Sequence, residues 1–175
     1  KANDIYSKSN GFFDITVNNI MSLWSLYEPI SKHIIPSESE IDRALSKTGM
    51  DMLKFDNSKI IKEHDDISLD ANSLVKGYAV DIISDFLEKQ TINNYLVDIG
   101  GEIRASGNNN EGSLWSVGIQ HPQNDGLLHA VYLNNMSIAT SGNYNNYIVI
   151  DGKEYSHIIN LLTGYPVNNK ILSTT

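Results

Sequence analysis

One long amphipathic segment, followed almost entirely by short stretches of period two, sets the limits on how this chain folds. From about Leu74 to Glu88, Val75, Tyr78, Ala79, Ile82, Ile83, Phe86 and Leu87 recur at three- and four-residue spacing. That spacing lays one apolar face along about four turns of helix. Asp70, Asn72 and Ser73 stand at its start, each able to accept bonds from first-turn amides. Beyond it the pattern turns to alternation: Tyr95-Leu-Val-Asp-Ile99, Leu114-Trp-Ser-Val-Gly-Ile119, His129-Ala-Val-Tyr-Leu133 and Tyr147-Ile-Val-Ile150, divided by Asn- and Gly-rich turns. Strands clustered after one strong helix predict an α+β fold, mainly antiparallel sheet with packed helices, rather than a doubly wound parallel sheet.

The first half is mixed. Ala2 to Ser9 and Thr16 to Leu26 carry apolar residues loosely at helical spacing. Ser37 to Ser46 is a clearer helix, with Pro36 before it, acidic residues in its first turn and Gly49 after it. Met52 to Asp56 and Ile60 to Glu63 flank an Asn57-Ser58 turn, which predicts a hairpin. The last residues, Lys170-Ile-Leu-Ser-Thr-Thr175, read as a strand that stops part-way, and Lys1 is no initiator methionine. The expectation is a single domain over residues 1–175, cut from a longer polypeptide at both ends.

Charge narrows the partners. Thirteen Lys and Arg against 21 Asp and Glu leave a net charge of −8 over 175 residues. Such a surface repels phosphate backbones and anionic lipid, so no nucleic acid and no membrane surface is expected as a main partner. An anionic cofactor is compatible with this acidity where a metal or local dipoles supply positive charge. Cysteine is absent, which excludes disulfides, a zinc-thiolate site and a cysteine nucleophile together. No run approaches the roughly 20 apolar residues that cross a bilayer.

Four segments carry residues suited to chemistry, and each has a plainer explanation when taken alone. Leu69-Asp-Ala-Asn-Ser-Leu-Val-Lys-Gly-Tyr-Ala-Val-Asp81 feeds the strong helix, whose N-terminal amides attract a diphosphate; Asp70 as a simple cap and Lys76 as a solvated side chain explain it equally. Val97-Asp-Ile-Gly-Gly-Glu-Ile-Arg104 interrupts a strand with two glycines, which reads as a bulge or a close approach of backbone to a flat group, the bulge being commoner. Ile138-Ala-Thr-Ser-Gly-Asn-Tyr144 is a Ser/Thr-Gly turn. In Tyr155-Ser-His-Ile-Ile-Asn-Leu-Leu-Thr-Gly-Tyr-Pro-Val167, His157 alternates with apolar residues on a strand, where histidine is more often structural than catalytic.

Their order and wording say more than each does alone. GYAVD after D-x-x-S-x-x-K, then LVDIGGEIRASG, IATSGNY and YSHIINLLTGYPV, resemble the ApbE family of flavin transferases point by point. Gly11-Phe-Phe-Asp-Ile-Thr-Val17 with Leu23-Trp24 is similar to that family's GAFD-x-TV and LW segment. The resemblance is co-linear over nearly the whole chain. It implies an ApbE-like fold and an FAD:protein FMN transferase: FAD and a divalent metal, usually Mg²⁺, are bound, FMN passes to a Thr or Ser hydroxyl of a target flavoprotein, and AMP leaves. Some relatives instead hydrolyse FAD as pyrophosphatases or hold it without catalysis.

By the same resemblance, Asp70 and Lys76 match positions that contact FAD, and Ser73 matches the one whose backbone carbonyl coordinates the metal. Phe12, Phe13 and Asp14 align with the element beside the cofactor, Ile159 with the apolar residue just after the histidine, and His157 with the active-site histidine. The family's D-x-x-x-T metal-ligand element falls beyond Thr175, its early methionine-and-aromatic segment lies outside the chain, and Asn160 stands where it usually has aspartate. Relatives are commonly exported bacterial lipoproteins. A periplasmic or cell-envelope location is therefore the expectation, with membrane tethering only through an N-terminal lipoprotein signal outside these residues.

The chemistry stands beside the resemblance. Cleaving a pyrophosphate by hydroxyl attack needs charge neutralisation, in-line positioning and an acceptor for the proton. A hard cation on oxygen ligands suits so acidic a chain, with Lys76 complementing it. Imidazole is the side chain suited to take a proton at neutral pH, which points to His157.

Overall fold

A computed structural model describes residues 1–26, 34–56, 58–143 and 146–175. Three helices come first: α1 (Ala2–Lys8), α2 (Asn18–Leu23) and α3 (Glu38–Leu45). A single 3₁₀ turn, Met50–Met52, leads into the hairpin of β1 (Leu53–Asp56) and β2 (Lys59–Lys62), and α4 (Asn72–Lys89) follows. The strands after it are β3 (Tyr95–Ile99), β4 (Glu102–Ser106), β5 (Trp115–Gln120), β6 (Leu127–Leu133), β7 (Met136–Ile138), β8 (Ser141–Gly142) and β9 (Tyr147–Ile150). They continue with β10 (Lys153–Ser156), β11 (Ile159–Asn160), β12 (Tyr165–Pro166) and β13 (Ser173–Thr174). Every strand pairing among the described residues is antiparallel, in keeping with the α+β expectation. Asp56 pairs with Lys59 at the end of the β1–β2 ladder; Asn57 of the predicted turn lies outside the described residues. Tyr144 of the Ser/Thr-Gly segment lies outside them as well.

The chain divides into two compact units, Lys1–Ala71 with Asn145–Lys170 and Asn72–Tyr144 with Ile171–Thr175. In the first, the core gathers Ile20, Trp24, Ile41, Ala44, Ile148 and Ile150 from α2 and the residue that caps it, α3 and β9, with Tyr155 and Ile159 packed against it. Trp24 is its centre. Its ring meets Tyr155 and Tyr165 with centroids 5.6 Å away in each case, and its Nε1–H donates to the Gly164 carbonyl at 2.8 Å. α3 forms where Ser37 and Glu40 close a capping box: the Ser37 amide and hydroxyl both donate to Glu40 Oε2, at 2.8 and 2.6 Å. Gly164 sits at φ +71°, with Ile41 and Leu45 where a side chain would go, so no other residue fits that turn without displacing the core.

In the second unit, β4 lies between β3 and β7, and β5 pairs with β6. Ile103, Ala105 and Leu133 form a buried cluster with Trp115, Val117 and Val131 around it. Ile99 pairs with Glu102, leaving Gly100 and Gly101 as a two-residue hairpin turn at φ +61° and +94°. Two consecutive left-handed residues define a type I′ turn. The paired glycines thus serve a tight hairpin rather than the bulge that sequence spacing favours, because register closes the ladder on both sides of them.

α4 runs as predicted, but its buried row differs from its most apolar one. Val80 and Ser84 are buried and Leu87 is half-buried, and Val80 and Leu87 pack against Tyr95 and Val97 of β3. Val75, Tyr78, Ile82, Ile83 and Phe86 are exposed. The sheet meets the row 76, 80, 84 and 87, and the broader apolar stripe lies on the helix flank. Arg104 of β4 fastens the C-terminal half of α4, reaching Asp81 at 3.5 Å and Asp85 and Glu88 at 3.0 Å. Tyr95 adds a 2.6 Å bond to Glu88, and burial together with that carboxylate pushes its phenol up.

Candidate functional site

Two of the expected elements meet in the first unit. After α1 the chain turns through Asn10 and Gly11 at positive φ, the Gly11 amide donating to the Tyr6 carbonyl at 3.0 Å. The Phe13 amide donates to Ser9 Oγ at 2.9 Å. Phe12, next to it, is 67 % exposed, leaving its aromatic face to solvent. Asp14 is the anchor of this loop. Its Oδ1 accepts from the Thr16 amide at 2.7 Å and the Thr16 hydroxyl at 2.6 Å, and its Oδ2 accepts from the Met50 amide at 3.0 Å. The Gly49 amide in turn donates to Thr16 Oγ1 at 2.7 Å.

Asp14 is itself buried, and both carboxylate oxygens are committed to the protein. It shapes the segment 12–16 and holds it against residues 49 and 50. Asp70 is brought to this segment through its main chain, its amide donating to the Ile15 carbonyl at 2.7 Å. Sequence placed 12–14 and 70 in separate motifs, and one backbone bond ties them.

His157 sits on the bend between β10 and β11, not on a strand as its alternation predicts. The reason is local: the hairpin ends at Ser156, whose Oγ accepts from the Ile158 amide at 3.1 Å and turns the chain. His157 Nδ1 lies 2.8 Å from the Asn146 carbonyl, and its main-chain amide donates to the same oxygen at 3.2 Å. A carbonyl only accepts, so Nδ1 carries a proton, and in the neutral ring the lone pair is on Nε2. The ring is half-exposed and fixed in the tautomer that a general base needs. Ile159 packs against the core beside Tyr155 and steadies the same bend. Asn160, where the resemblance implies aspartate, accepts from the Leu162 amide through Oδ1 at 2.9 Å, a task either side chain performs.

The second unit carries Ser73 and Lys76. Ser73 is exposed in the first turn of α4, a turn without acidic residues and therefore suited to an anion. Lys76, one turn on, reaches Glu102 Oε2 at 2.6 Å and the Gly100 carbonyl at 3.2 Å. Among the described residues no three His, Asp or Glu side chains come together to hold a metal. Two residues that contact His157 and Lys76 escaped sequence reasoning. Asn146 acts through its carbonyl, which leaves no trace in residue type. Glu102 had a signal in the GGE turn, since a two-residue hairpin places it opposite Ile99.

The ApbE family model matches residues 1–175. The chain is 35% identical over 169 residues to the FAD:protein FMN transferase of Vibrio cholerae serotype O1, covering 95% of this chain and 51% of that protein. Among solved structures it is similar to the ApbE protein of Thermotoga maritima, with TM-score 0.88 and 30% identity over 98% of this chain and 56% of that one. It is also similar to the apo form of the flavinyl transferase ApbE of Pseudomonas stutzeri, with TM-score 0.86 and 32% identity over 98% and 54%. The chain spans about half the length of the curated relatives it matches.

Proposed function

The chain belongs to the ApbE family, and we propose that the whole protein transfers FMN from FAD to a Thr or Ser hydroxyl of a target flavoprotein. The hydroxyl oxygen forms a bond to the phosphorus of the FMN moiety, the diphosphate bond to the adenylate breaks, AMP leaves, and the hydroxyl proton passes to His157 Nε2. The observation that carries this reading is the orientation of His157: with Nδ1–H spent on the Asn146 carbonyl, Nε2 is the ring nitrogen left to accept a proton.

Phe12 offers the flavin ring an exposed aromatic face, Phe13, Asp14 and Asp70 hold the surrounding backbone, and Ile159 steadies the bend that carries His157. In the second unit, taken by itself, Lys76 and the acid-free first turn of α4 suit a diphosphate. For Mg²⁺ the described residues do not assemble a cation site by themselves. The proposal for the metal is limited to the Ser73 carbonyl as one oxygen ligand, the diphosphate and protein outside this chain supplying the rest. A bacterial cell-envelope location belongs to the same proposal, and fractionation of the full-length protein checks it.

Incubating the full-length protein with FAD, Mg²⁺ and a candidate acceptor should give a covalently yellow, acid-stable acceptor. FMN and AMP released without any modified acceptor would identify an FAD pyrophosphatase instead. A tight metal-free FAD complex with no turnover would identify a binding protein.

A further inference from the structure

We propose that Glu102 is the positioning residue for Lys76, fixing where its ammonium meets the diphosphate; this rests on the reading that Lys76 meets FAD. An ammonium has three N–H donors on a flexible stem. One donates to the Gly100 carbonyl at 3.2 Å, while the ammonium makes an ion pair with Glu102 Oε2 at 2.6 Å. The remaining donors are left for a ligand.

The anchor is itself rigid. Glu102 is the first residue of β4, opposite Ile99 across the Gly100-Gly101 turn, and that turn is held by the Gly101 amide donating to Asp98 Oδ1 at 2.9 Å. Its side chain is 21% exposed against 48% for Lys76. Oε2 is fully buried and takes no hydrogen bond of regular geometry, so the lysine charge compensates it. Lys76 also stands on the row of α4 that faces the sheet, continuing Val80 and Ser84, which limits where its stem can swing. A buried carboxylate oxygen, a hairpin carbonyl and a sheet-facing stem together hold the ammonium at the first turns of α4.

The test is a double-mutant cycle in the full-length protein, reading FAD affinity by flavin fluorescence and, separately, KM for FAD and kcat for transfer. Lys76→Ala should weaken FAD binding tenfold or more. Glu102→Gln should weaken it about two- to fivefold, the worth of a partly exposed ion pair. Glu102→Asp should recover part of that loss. In each Glu102 variant KM should rise more than kcat falls, and Glu102→Gln should have no further effect once Lys76 is alanine. Tighter binding by Glu102→Gln would overturn the proposal, because Glu102 would then be a competing counter-charge, as would a full Glu102→Gln effect in the Lys76→Ala background. Unchanged FAD affinity in Lys76→Ala would overturn the underlying reading of Lys76, and the positioning role with it.

Discussion

Replacing Asp14 with alanine should destabilise the first unit by about 3–5 kcal/mol, and the number follows from its bonds. The substitution strands two main-chain donors, Thr16 N and Met50 N, which Asp14 satisfies at 2.7 and 3.0 Å in a buried setting. Each buried, unmet donor costs about 1–3 kcal/mol, and bonds to a charged acceptor lie at the upper end of that range. The Thr16 hydroxyl can rotate toward another acceptor and adds little. Asp14→Asn keeps one acceptor oxygen for the Thr16 pair but turns an NH₂ toward the Met50 amide, so about half the loss is expected. Urea unfolding followed by fluorescence of Trp24, buried in the same unit, measures the difference. A loss of domain stability this large uses up a sizeable share of the roughly 5–15 kcal/mol that domains possess. A change below about 1 kcal/mol, with FAD affinity lost at unchanged stability, would refute the reasoning, since the carboxylate would then act on the ligand rather than on the loop.

Other outcomes follow from the same contacts. Gly164→Ala adds a methyl toward Ile41 and Leu45 at φ +71°; a loss of about 2–4 kcal/mol in the same unfolding experiment is expected from strain plus overpacking. The Ser37 bonds hold the Glu40 carboxyl below its ordinary value of 4.5, so its contribution is complete above that pH and disappears as pH falls through the lowered value. An acid titration of helicity should therefore lose part of its low-pH limb in Glu40→Gln. Arg104→Met deprives Asp81, Asp85 and Glu88 of their shared guanidinium; about 1 kcal/mol of stability should go, more at low salt than at high, measured by thermal melting at two ionic strengths.

The sequence makes some of this architecture readable and hides the rest for physical reasons. α4 and the hairpin β3–β4 are legible because periodicity and register are local properties, and Tyr95 to Ile99 alternates as it pairs. The buried row of α4 is not, because Ser84 is buried where isoleucines on the flank are exposed, and only the position of β3 decides which row is covered. The glycine pair reads as a bulge until Ile99 is seen opposite Glu102. At the candidate site, His157 is marked by its residue type. Its tautomer depends on a carbonyl eleven residues away, and main-chain partners leave no mark in composition. Asp14 shows the reverse: its residue type suggests a ligand contact, while its bonds show both oxygens already used.

The most direct measurement is the stoichiometry of transfer by the full-length protein: AMP released per acceptor hydroxyl modified, with FAD affinity measured alongside. The account predicts one AMP for each modified hydroxyl, and in His157→Ala a fall of both by about 10²–10⁴-fold with FAD affinity retained. AMP produced without modified acceptor, or undiminished transfer in His157→Ala, would contradict it.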